Sequence, residues 1–529
     1  MILMKVLVTD PISEEGIKIL KAEQGVQVDI ETKLTKEQLI EKIKDYDALI
    51  IRSETQVTRE VIEAGKNLKI VGRAGVGIDN VDVPAATEKG IIVANAPEGN
   101  MIAACEHTIS MMLSMSRNIP QANASLKSGK WERSKFMGVE VLGKTLGVVG
   151  MGRIGGEVTR RARCMGMEVL AYDPFTTPER AQAIGAKLTT LDDIYENSDY
   201  ITVHTPLIPS TRHMISTPQF DKMKKGVRII NCARGGIIDE AALYEALKSG
   251  KVAGAALDVF EKEPPVGSPL LELNNVIATP HLGASTQEAQ VNVAITIAEQ
   301  VINAFKGMPV TTALNIPIMK PETMEKIRPY LPMAETLGRF VAQLSDGQIK
   351  EVSVKYSGEI AQKEISLVTI AALKGLLDVK MGEYVNYVNA NTIAKERGIK
   401  VVESKIGEVG DYTNLITVNV KTDMMEHTVA GTIFGNKEAR IVEIDGYRLD
   451  AVPQGYMIVT RHKDRPGVIG NVGMLLGQNN INIAGMVVGR EAVRGDAIMI
   501  LGVDDKVPQN VLKELVEKAG LYEARYVVL

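Results

Sequence analysis

Cysteine is scarce in this sequence. Only Cys105, Cys164 and Cys232 occur among the 529 residues, and they lie far apart. An odd number of widely separated cysteines excludes a disulfide framework and is typical of proteins that work in a reducing compartment. The cysteine content therefore predicts a cytoplasmic protein.

Long apolar runs are also missing. No stretch approaches the roughly 18 residues that suggest a membrane-spanning helix. The chain begins MILMKVLVTD, which carries neither a basic n-region nor a cleavage site, so we interpret it as a first strand and not as a signal peptide. Translation could begin at Met1 or at Met4, and the sequence leaves both open.

Charge of either sign is not in excess. Lys and Arg total 61 against 65 Asp and Glu, which gives a net charge of −4. This balance excludes a general attraction to nucleic acid or to acidic membranes, and neither is expected as a partner. Hydrophobic residues make up 45% and charged residues 24%, as in soluble globular proteins. A length of 529 residues predicts about three domains or more.

Short apolar strands alternate with helical stretches as far as residue 283, which predicts parallel sheets with helices on their faces. The alternation runs in two series that are joined by a long helical segment. We expect strands at 6–10, 48–53, 69–75 and 91–97 in the first series, and at 145–150, 168–173, 200–206, 227–235, 252–260 and 275–283 in the second. Two doubly wound α/β lobes with a cleft between them follow: residues 1–98 with 285–317, and residues 99–284.

The pattern changes after about residue 317. Residues 318–452 carry helices and then strands of alternating polarity, which predict an antiparallel sheet with one face in solvent. Residues 453–529 follow the order strand, helix, strand, strand, helix, strand, which is typical of a ferredoxin-like module. We therefore expect an α+β intervening domain and a ferredoxin-like domain after the two lobes.

A glycine-rich stretch, GVVGMGRIGGEV, begins at Gly147 and connects a strand to a helix. Gly150, Gly152 and Gly155 form the pattern G-x-G-x-x-G, which allows a tight turn, close approach of a pyrophosphate, and helix packing on the strand. The helix N-terminus then offers N–H groups to the phosphates. Asp173 ends the next strand, where a carboxylate accepts from ribose hydroxyls and repels a 2′-phosphate. The stretch therefore predicts binding of NAD in preference to NADP.

Proton transfer beside NAD requires a titratable group at the carboxyl end of the same sheet. His281 and His204 both end strands there, while His107 lies in an apolar helix and is interpreted as a packed or capped core histidine. Arg234 and Glu263 also follow strand ends. An arginine can hold a carboxylate at two points, and a glutamate paired with a histidine fixes its tautomer. Together these residues predict a catalytic constellation.

These motifs resemble the D-isomer-specific 2-hydroxyacid dehydrogenases over about residues 1–315. The resemblance is carried by GxGxxG…D, HTPL, INCARGGIIDEAAL, ALDVFEKEPP and TPHLGAST. It implies that Arg234, Glu263 and His281 are catalytic, with His281 as acid/base, Glu263 orienting it and Arg234 binding the substrate carboxylate. It also implies cofactor contacts at Arg153, Ile154, Thr205, Cys232, Ala233, Arg234, Asp258, His281, Gly283 and Ala284. Cys232 is expected to contribute backbone and not thiol chemistry.

The additional C-terminal modules resemble those of long-form members of that family, which oxidise 3-phospho-D-glycerate at the start of the phosphorylated route to L-serine. In some of them the intervening domain binds an anionic effector, so residues 318–452 are expected to be similar to an allosteric substrate-binding domain, and the last module is an ACT domain. The resemblance implies that His462, Asp464 and Asn482 hold L-serine at a dimer interface, and a homo-oligomer, dimer or tetramer, is expected. Relatives often carry Asn where this chain has Asp464, which leaves the identity and affinity of the effector open.

A phosphorylated substrate needs cations in the first lobe. Arg52 with Ser53, and Arg73 beside a glycine loop, follow strand ends that face the expected cleft. The resemblance adds Asn100 as a substrate contact. It also places Arg133 and Lys135 in a segment that in relatives reaches the partner subunit and helps to bind phosphate.

Other interpretations remain open at this point. Lys437, Arg440 and Arg448 could form an anion site in the intervening domain, although a charge cluster is more often a solvated face. The enzyme could act on a different acid, such as 2-hydroxyglutarate or 2-oxoglutarate, glycerate or glyoxylate. A nucleotide-sensing scaffold or corepressor is the alternative outside enzymes. No metal is predicted.

Overall fold

The structure is a computed structural model that describes residues 3–317, 319, 321–381, 385–407, 411–435 and 438–529. Its first lobe is built on a five-stranded sheet in which every strand is parallel to its neighbours, in the order β2-β1-β3-β4-β5. The strands are β1 (Met4–Val8), β2 (Val26–Ile30), β3 (Ala48–Ile51), β4 (Ile70–Arg73) and β5 (Ile92–Asn95). The helices between them are α1 (Glu14–Ala22), α2 (Lys36–Lys42), α3 (Arg59–Ala64) and α4 (Val83–Glu88). Strand β3 is buried along its whole length because helices cover both faces of the sheet.

The second lobe contains a seven-stranded parallel sheet in the order β12-β11-β10-β9-β6-β7-β8. Its strands are β6 (Thr145–Val149), β7 (Glu168–Tyr172), β8 (Lys187–Leu188), β9 (Tyr200–Val203), β10 (Val227–Asn231), β11 (Val252–Leu257) and β12 (Val276–Ala278). Its helices are α5 (Met101–Ser116), α6 (Ile119–Lys127), α7 (Arg153–Cys164), α8 (Pro178–Ala183), α9 (Leu191–Asn197), α10 (Thr217–Lys222) and α11 (Glu240–Lys248). The strand order reverses between β6 and β9, which is where open α/β sheets bind ligands.

Helix α12 (Gln287–Phe305) returns the chain to the first lobe. It packs closely on α1 and β4 because Gly16 and Gly72 leave no side chain between the elements: a Cβ at Gly16 would lie 2.7 Å from the Ala294 oxygen. Asn315 then binds the backbone of β5, accepting from Val93 N–H at 3.0 Å. These contacts pack α12 and the segment that contains Asn315 on the first lobe.

The intervening domain has a six-stranded sheet in the order β14-β13-β15-β16-β17-β18. Its strands are β13 (Ile349–Gly358), β14 (Lys400–Ile406), β15 (Asn414–Thr422), β16 (Glu426–Phe434), β17 (Glu438–Ile444) and β18 (Tyr447–Ala451). Its helices are α13 (Pro321–Ile327), α14 (Tyr330–Leu344), α15 (Ser366–Met381) and α16 (Ala390–Glu396). The prediction of an antiparallel sheet was wrong for one pair, since β13 and β14 run parallel. A parallel pair needs a long crossover, and helices α15 and α16 supply it.

The last module has the predicted order of elements: β19 (Tyr456–Lys463), α17 (Val468–Gln478), β20 (Ile483–Arg490), β21 (Asp496–Val503), α18 (Gln509–Ala519) and β22 (Leu521–Val528). Its antiparallel sheet has the order β20-β21-β19-β22, as expected of the ferredoxin-like fold. One sheet face packs on its own helices, and the other joins the core of the intervening domain through residues such as Met457, Val459 and Ile500. The two C-terminal domains thus share one hydrophobic core.

Among the residues that the structure describes, no helix is both long enough and apolar enough to span a bilayer.

Candidate active site

His281 and Glu263 form a hydrogen-bonded pair at the carboxyl edge of the second-lobe sheet. The Nδ1 atom of His281 lies 2.8 Å from Oε2 of Glu263, and both side chains are partly exposed. The other carboxylate oxygen of Glu263 accepts from the Phe260 N–H at 3.1 Å. Because Nδ1 is engaged with the glutamate, Nε2 is the ring nitrogen that can face a substrate. The sequence predicted this pair.

The charge of Glu263 is held by its partners. Burial is the largest single influence and raises the pKa of Glu263, but the hydrogen bond and charge of His281, together with the Phe260 N–H, outweigh it, so the pKa is lowered from its ordinary value. Glu263 is therefore a carboxylate at neutral pH and serves as an acceptor that orients the imidazole.

Arg234 extends from the end of β10 across the cleft to the first lobe. Its Nε donates to Oδ2 of Asp79 at 2.8 Å, and its Nη1 donates to the Ala233 carbonyl at 2.7 Å. Gly77 passes so close that a Cβ there would lie 1.7 Å from Nη2. The guanidinium is thus fixed by both lobes. Neither Asp79 nor Gly77 was predicted as a site residue, because the contact depends on how the two lobes face each other.

Arg73 of the first lobe lies within electrostatic range of Arg52, in the same lobe, and of Arg234 from the second lobe. Burial, followed by the neighbouring charges of Arg234 and Arg52, lowers the pKa of Arg73 to about 10. The Nε atom of Arg73 is buried without a hydrogen-bond partner among the described residues. Asp10 braces the Arg52 segment by accepting from the Arg52 N–H at 2.5 Å. Such a concentration of guanidinium groups with an unsatisfied donor is suited to an anion with several oxygens.

Two further predicted substrate residues differ in their surroundings. Ser53 is exposed beside Arg52 in the braced segment. Asn100 precedes α5 at the junction of the lobes, and its Oδ1 is buried without a partner among the described residues. A buried and unsatisfied amide oxygen needs an explanation, and a ligand supplies one. Arg133 and Lys135 instead lie in a short 3-10 turn (Arg133–Phe136) near the exposed side chains of Trp131 and Met137.

The glycine-rich turn has the shape that a dinucleotide pyrophosphate requires. Gly150 has φ 97, and a Cβ on Gly155 would lie 2.0 Å from the Gly150 oxygen, so neither position tolerates a side chain. A Cβ on Gly152 would instead enter open space. Helix α7 begins at once with Arg153 and Ile154. The first turn of a helix offers N–H groups to an anion.

The glycine-rich turn, Asp173 and Thr205 together form what we call the cradle, and the latter two residues also suit a dinucleotide. The carboxylate of Asp173 accepts from the Met151 N–H at 2.8 Å and from the Phe175 N–H at 2.7 Å, which places it beside the turn. Thr205 Oγ1 is buried without a partner within the described part of the chain. Both observations agree with a ribose and phosphate binding between these residues, since each supplies a hydrogen-bonding atom facing the cradle.

Asp258, predicted as a cofactor contact, is completely enclosed by protein. Its carboxylate accepts from the Leu282 N–H at 2.7 Å and the Gly283 N–H at 2.8 Å, so it supports the segment on which Gly283, Ala284 and His281 lie. A direct contact of its carboxylate with a cofactor has no support in this geometry. Its position under the segment makes it a structural partner of the predicted cofactor residues.

Two other candidates near the sheet edge have pKa values that exclude a proton-transfer role at neutral pH. Burial lowers the pKa of His204 to about 4, and its Nε2 lies 3.0 Å from Thr202 Oγ1. Burial is also the main cause that raises the pKa of Cys232 to about 12. The thiol therefore stays protonated at neutral pH.

The three predicted effector residues do not meet within one chain. His462 lies at the end of β19 and is level with Ala497 and Arg490 on the neighbouring strands. Asn482 precedes β20, whose first residue is level with Val503, so it lies at the opposite end of the sheet. His462 is buried, and its Nδ1 has no partner within the described residues. The three predicted residues therefore do not form one site within a single copy of the module.

Charge partners are already present around the other C-terminal candidates. Asp464 accepts from Arg490 Nη1 at 2.9 Å, which lowers the pKa of Asp464 from its ordinary value, with the hydrogen bond as the largest cause. Arg440 binds Glu438 at 2.8 Å, and Arg448 binds Asp411 at 2.8 Å. Lys437 lies outside the described residues. The two described arginines are thus engaged by carboxylates, as on a solvated face.

Comparison with protein families identifies three segments. Residues 109–283 match the D-isomer specific 2-hydroxyacid dehydrogenase NAD binding domain, residues 326–445 match the D-3-phosphoglycerate dehydrogenase intervening domain, and residues 456–520 match the ACT domain. The second lobe is therefore an NAD-binding domain. The family matches agree with the domain order expected from the sequence.

Similar proteins cover the whole chain. The chain is 50% identical to a D-3-phosphoglycerate dehydrogenase of Archaeoglobus fulgidus, over 99% of this chain and 100% of that protein. It is 51% identical to a D-3-phosphoglycerate dehydrogenase of Synechocystis, over 99% of this chain and 95% of that protein. A further D-3-phosphoglycerate dehydrogenase, of Bacillus subtilis, is 46% identical over 100% of both chains.

Solved structures match the two lobes. A D-lactate dehydrogenase from Aquifex aeolicus, in complex with NAD and lactic acid, has a TM-score of 0.52 at 29% identity, covering 57% of this chain and 96% of that chain. A glyoxylate reductase from Paecilomyes thermophila has a TM-score of 0.56 at 33% identity, covering 59% of this chain and 99% of that chain.

Proposed function

The chain belongs to the family of D-3-phosphoglycerate dehydrogenases, and from that membership we propose that it oxidises 3-phospho-D-glycerate to 3-phosphohydroxypyruvate with NAD⁺. The reaction is the first step of the phosphorylated route to L-serine. The chain is an NAD-dependent oxidoreductase. One observation supports this substrate above others: Arg73, whose Nε is buried without a hydrogen-bond partner among the described residues, interacts electrostatically with both Arg234 and Arg52.

The charge of the proposed substrate agrees with this arrangement. A carboxylate and a phosphate occupy opposite ends of 3-phosphoglycerate, and each prefers the planar donors of arginine. Arg234 belongs to the same lobe as the acid/base histidine and is proposed to bind the carboxylate and the C2 oxygen of the substrate. Arg52 and Arg73 belong to the other lobe and take the phosphate, with Ser53 and Asn100 as neutral contacts.

The residues of the chain then have separate tasks. His281 removes the proton of the C2 hydroxyl through Nε2 and returns it in the reverse direction. Glu263 holds Nδ1 of His281 and favours the protonated ring that forms. Arg234 stabilises the negative charge that develops on the C2 oxygen. When bound, NAD⁺ would supply the acceptor for the hydride of C2. The residues that would hold it are the Gly150–Gly155 turn, Asp173, Thr205 and the backbone of Cys232, Ala233, Gly283 and Ala284.

The proposal is tested by following NADH formation with purified protein, NAD⁺ and 3-phosphoglycerate, with D-glycerate and D-2-hydroxyglutarate in parallel. We expect turnover of the phosphorylated acid at a kcat/KM at least about 100-fold above that of D-glycerate, because only the former uses the phosphate-facing arginines. Equal or better turnover of an unphosphorylated acid would keep the dyad and discard the assignment of Arg52 and Arg73.

Regulation by L-serine is proposed for the ACT domain. Because His462 and Asn482 lie at opposite ends of one sheet, an effector site would combine His462 and Asp464 of one copy with Asn482 of another. A homo-oligomer, dimer or tetramer, is therefore part of the proposal. The exposed segment around Arg133 and Lys135 is proposed to reach the partner's substrate site. We also propose that the protein works in the cytoplasm.

Mixed oligomers test the shared effector site. In a dimer of His462→Ala and Asn482→Ala chains, one site loses both residues and the other keeps both. Each pure variant should lose inhibition by L-serine, while co-refolded mixed oligomers should recover part of it. A mixture as insensitive as its parents would contradict a site shared between two chains, and insensitivity of the unaltered protein would remove serine as the effector.

A further inference from the structure

His107 contacts Asp258 and Thr279, which hold the segment that carries His281. It lies on α5, the helix that joins the lobes and begins directly after Asn100. Its Nε2 is 3.1 Å from Asp258 Oδ1 and 3.1 Å from Thr279 Oγ1. The side chain of His107 is 18% exposed and that of Asp258 is fully buried. The contact is thus sheltered from water, where a hydrogen bond to a charged group has a large effect.

Asp258 holds the catalytic segment, residues 279–283, from both sides of His281. Its backbone oxygen accepts from the His281 N–H at 2.9 Å. Its carboxylate accepts from Thr279 Oγ1 at 2.6 Å, from the Leu282 N–H at 2.7 Å and from the Gly283 N–H at 2.8 Å. His281 has φ 54, an unusual conformation for a residue other than glycine, so the segment keeps its shape through these bonds.

His107 lies in a different part of the chain from the other donors to the Asp258 carboxylate. Thr279, Leu282 and Gly283 all belong to the catalytic segment, whereas His107 belongs to α5. Within the part of the chain that the structure describes, His107 is the donor to this carboxylate from outside the segment. The carboxylate and its hydrogen bonds therefore tie the catalytic segment to the helix whose first residues border the cleft.

We propose that His107 is a positioning residue for His281, acting through Asp258 and Thr279. The proposal rests on the dehydrogenase function proposed above. For this role Nε2 carries the hydrogen and donates toward Oδ1, while the Thr279 hydroxyl donates to the same oxygen and can accept from His107 with a lone pair. A shift of the segment by a fraction of an ångström would misplace Nε2 of His281 against the substrate hydroxyl and slow the proton transfer.

Three variants separate positioning from general stability. His107→Leu removes the donor, and His107→Gln retains an N–H group at nearly the same reach. Ser116→Ala is the control, because Ser116 lies on the same helix and its buried hydroxyl is 2.9 Å from the Tyr200 hydroxyl, away from the catalytic segment. All three are compared in the full-length protein, well below their unfolding midpoints.

The kinetic readout is kcat together with the isotope effect of 2-deuterio-3-phosphoglycerate. We expect His107→Leu to lower kcat about 10-fold or more, to change KM less than about threefold and to raise the isotope effect on kcat, because the chemical step becomes limiting. His107→Gln should recover most of the rate, and Ser116→Ala should retain it. A kcat loss equal in His107→Leu and Ser116→Ala, or a Gln variant as slow as the Leu variant, would overturn the proposal.

Amide hydrogen exchange gives a readout that does not depend on turnover. Exchange of Leu282 and Gly283 should accelerate in His107→Leu and stay unchanged in Ser116→Ala. Unchanged exchange in the Leu variant would overturn the proposal, whereas absence of turnover in the unaltered protein would overturn the proposed function alone. If His107→Leu does not fold, Thr279→Val replaces it, because it removes the hydroxyl that contacts both His107 and Asp258. Thr279→Ser restores that hydroxyl and replaces His107→Gln. The kcat loss, its recovery and the amide exchange then test the proposal in the same way.

Discussion

Asp79 of the first lobe accepts a hydrogen bond from Arg234 of the second lobe at 2.8 Å. The pair spans the cleft in which the substrate is proposed to bind. Nε and Nη1 of Arg234 are both engaged, with Asp79 and the Ala233 carbonyl, so the donors on Nη2 face the space beside Gly77. The relationship couples the orientation of Arg234, the proposed carboxylate-binding residue, to the relative arrangement of the two lobes.

Replacing Asp79 tests that coupling. Asp79→Ala should lower kcat/KM for 3-phosphoglycerate by roughly 10- to 100-fold, since Arg234 loses the group that fixes its plane. Asp79 is largely exposed, so the unfolding midpoint should change little. Asp79→Asn keeps an acceptor and should lose less activity than Asp79→Ala. Steady-state kinetics and thermal unfolding of both variants check the prediction, and equal activity of the Ala variant and the unaltered protein would contradict it.

Arg73 is expected to distinguish phosphorylated from unphosphorylated substrates. Arg73→Ala should raise KM for 3-phosphoglycerate roughly 10- to 100-fold, because the loss of a guanidinium removes charge-assisted hydrogen bonds to phosphate. The slow turnover of D-glycerate should change less than about threefold. Arg73→Lys keeps the charge without the planar fork and should lie between the two. A KM for 3-phosphoglycerate that stays unchanged in Arg73→Ala would remove this residue from the phosphate site.

Asp173 is expected to set the preference for NAD over NADP. The Asp173 carboxylate stands beside the glycine turn, accepting from the Met151 and Phe175 N–H groups. Asp173→Ser should reduce the kcat/KM ratio of NAD to NADP by at least about 10-fold, because repulsion of the 2′-phosphate disappears together with the ribose acceptor. The ratio is measured with saturating 3-phosphoglycerate. A ratio that does not fall would contradict the assignment.

The parallel lobes could be predicted because their strands are short, apolar and regularly interrupted. Two strands were not predicted because they lack a buried apolar run: β2 (Val26–Ile30) is half exposed, and β8 consists of Lys187 and Leu188 alone. Strand partners were harder to predict. The parallel pairing of β13 with β14 depends on how α15 and α16 cross the sheet, and residue alternation carries no information on strand direction.

The site residues divide in a similar way. His281, Glu263 and Arg234 could be predicted as candidates because each follows a strand end of one sheet, where the fold gathers side chains. Asp79 could not, because its partner belongs to the other lobe. His107 was interpreted as a packed or capped core histidine, and its hydrogen bonds to Asp258 and Thr279 depend on the packing of α5 against the sheet. Contacts of this kind follow from tertiary structure and leave no local pattern.

His204 is expected to make stability depend on pH. Burial lowers its pKa to about 4 in the folded protein, against an ordinary value of about 6.5. Between these values the unfolded chain binds a proton at this position and the folded chain does not. The free energy of unfolding should therefore fall as the pH decreases from about 6.5 to about 4, by up to roughly 3 kcal/mol from this residue.

Urea unfolding of the unaltered protein and of His204→Gln between pH 4 and pH 7.5 measures this contribution. Glutamine does not titrate and can still bind the Thr202 hydroxyl, so the variant should show a flatter dependence on pH below about 6.5. His462, whose pKa burial also lowers, acts in the same direction, so the slope should not vanish in the single variant. The double variant with His462→Gln should be flatter again. If the free energy of unfolding of His204→Gln depends on pH with the same slope as that of the unaltered protein, His204 does not have a lowered pKa in the folded state. The interpretation of His204 as a buried neutral imidazole would then be wrong.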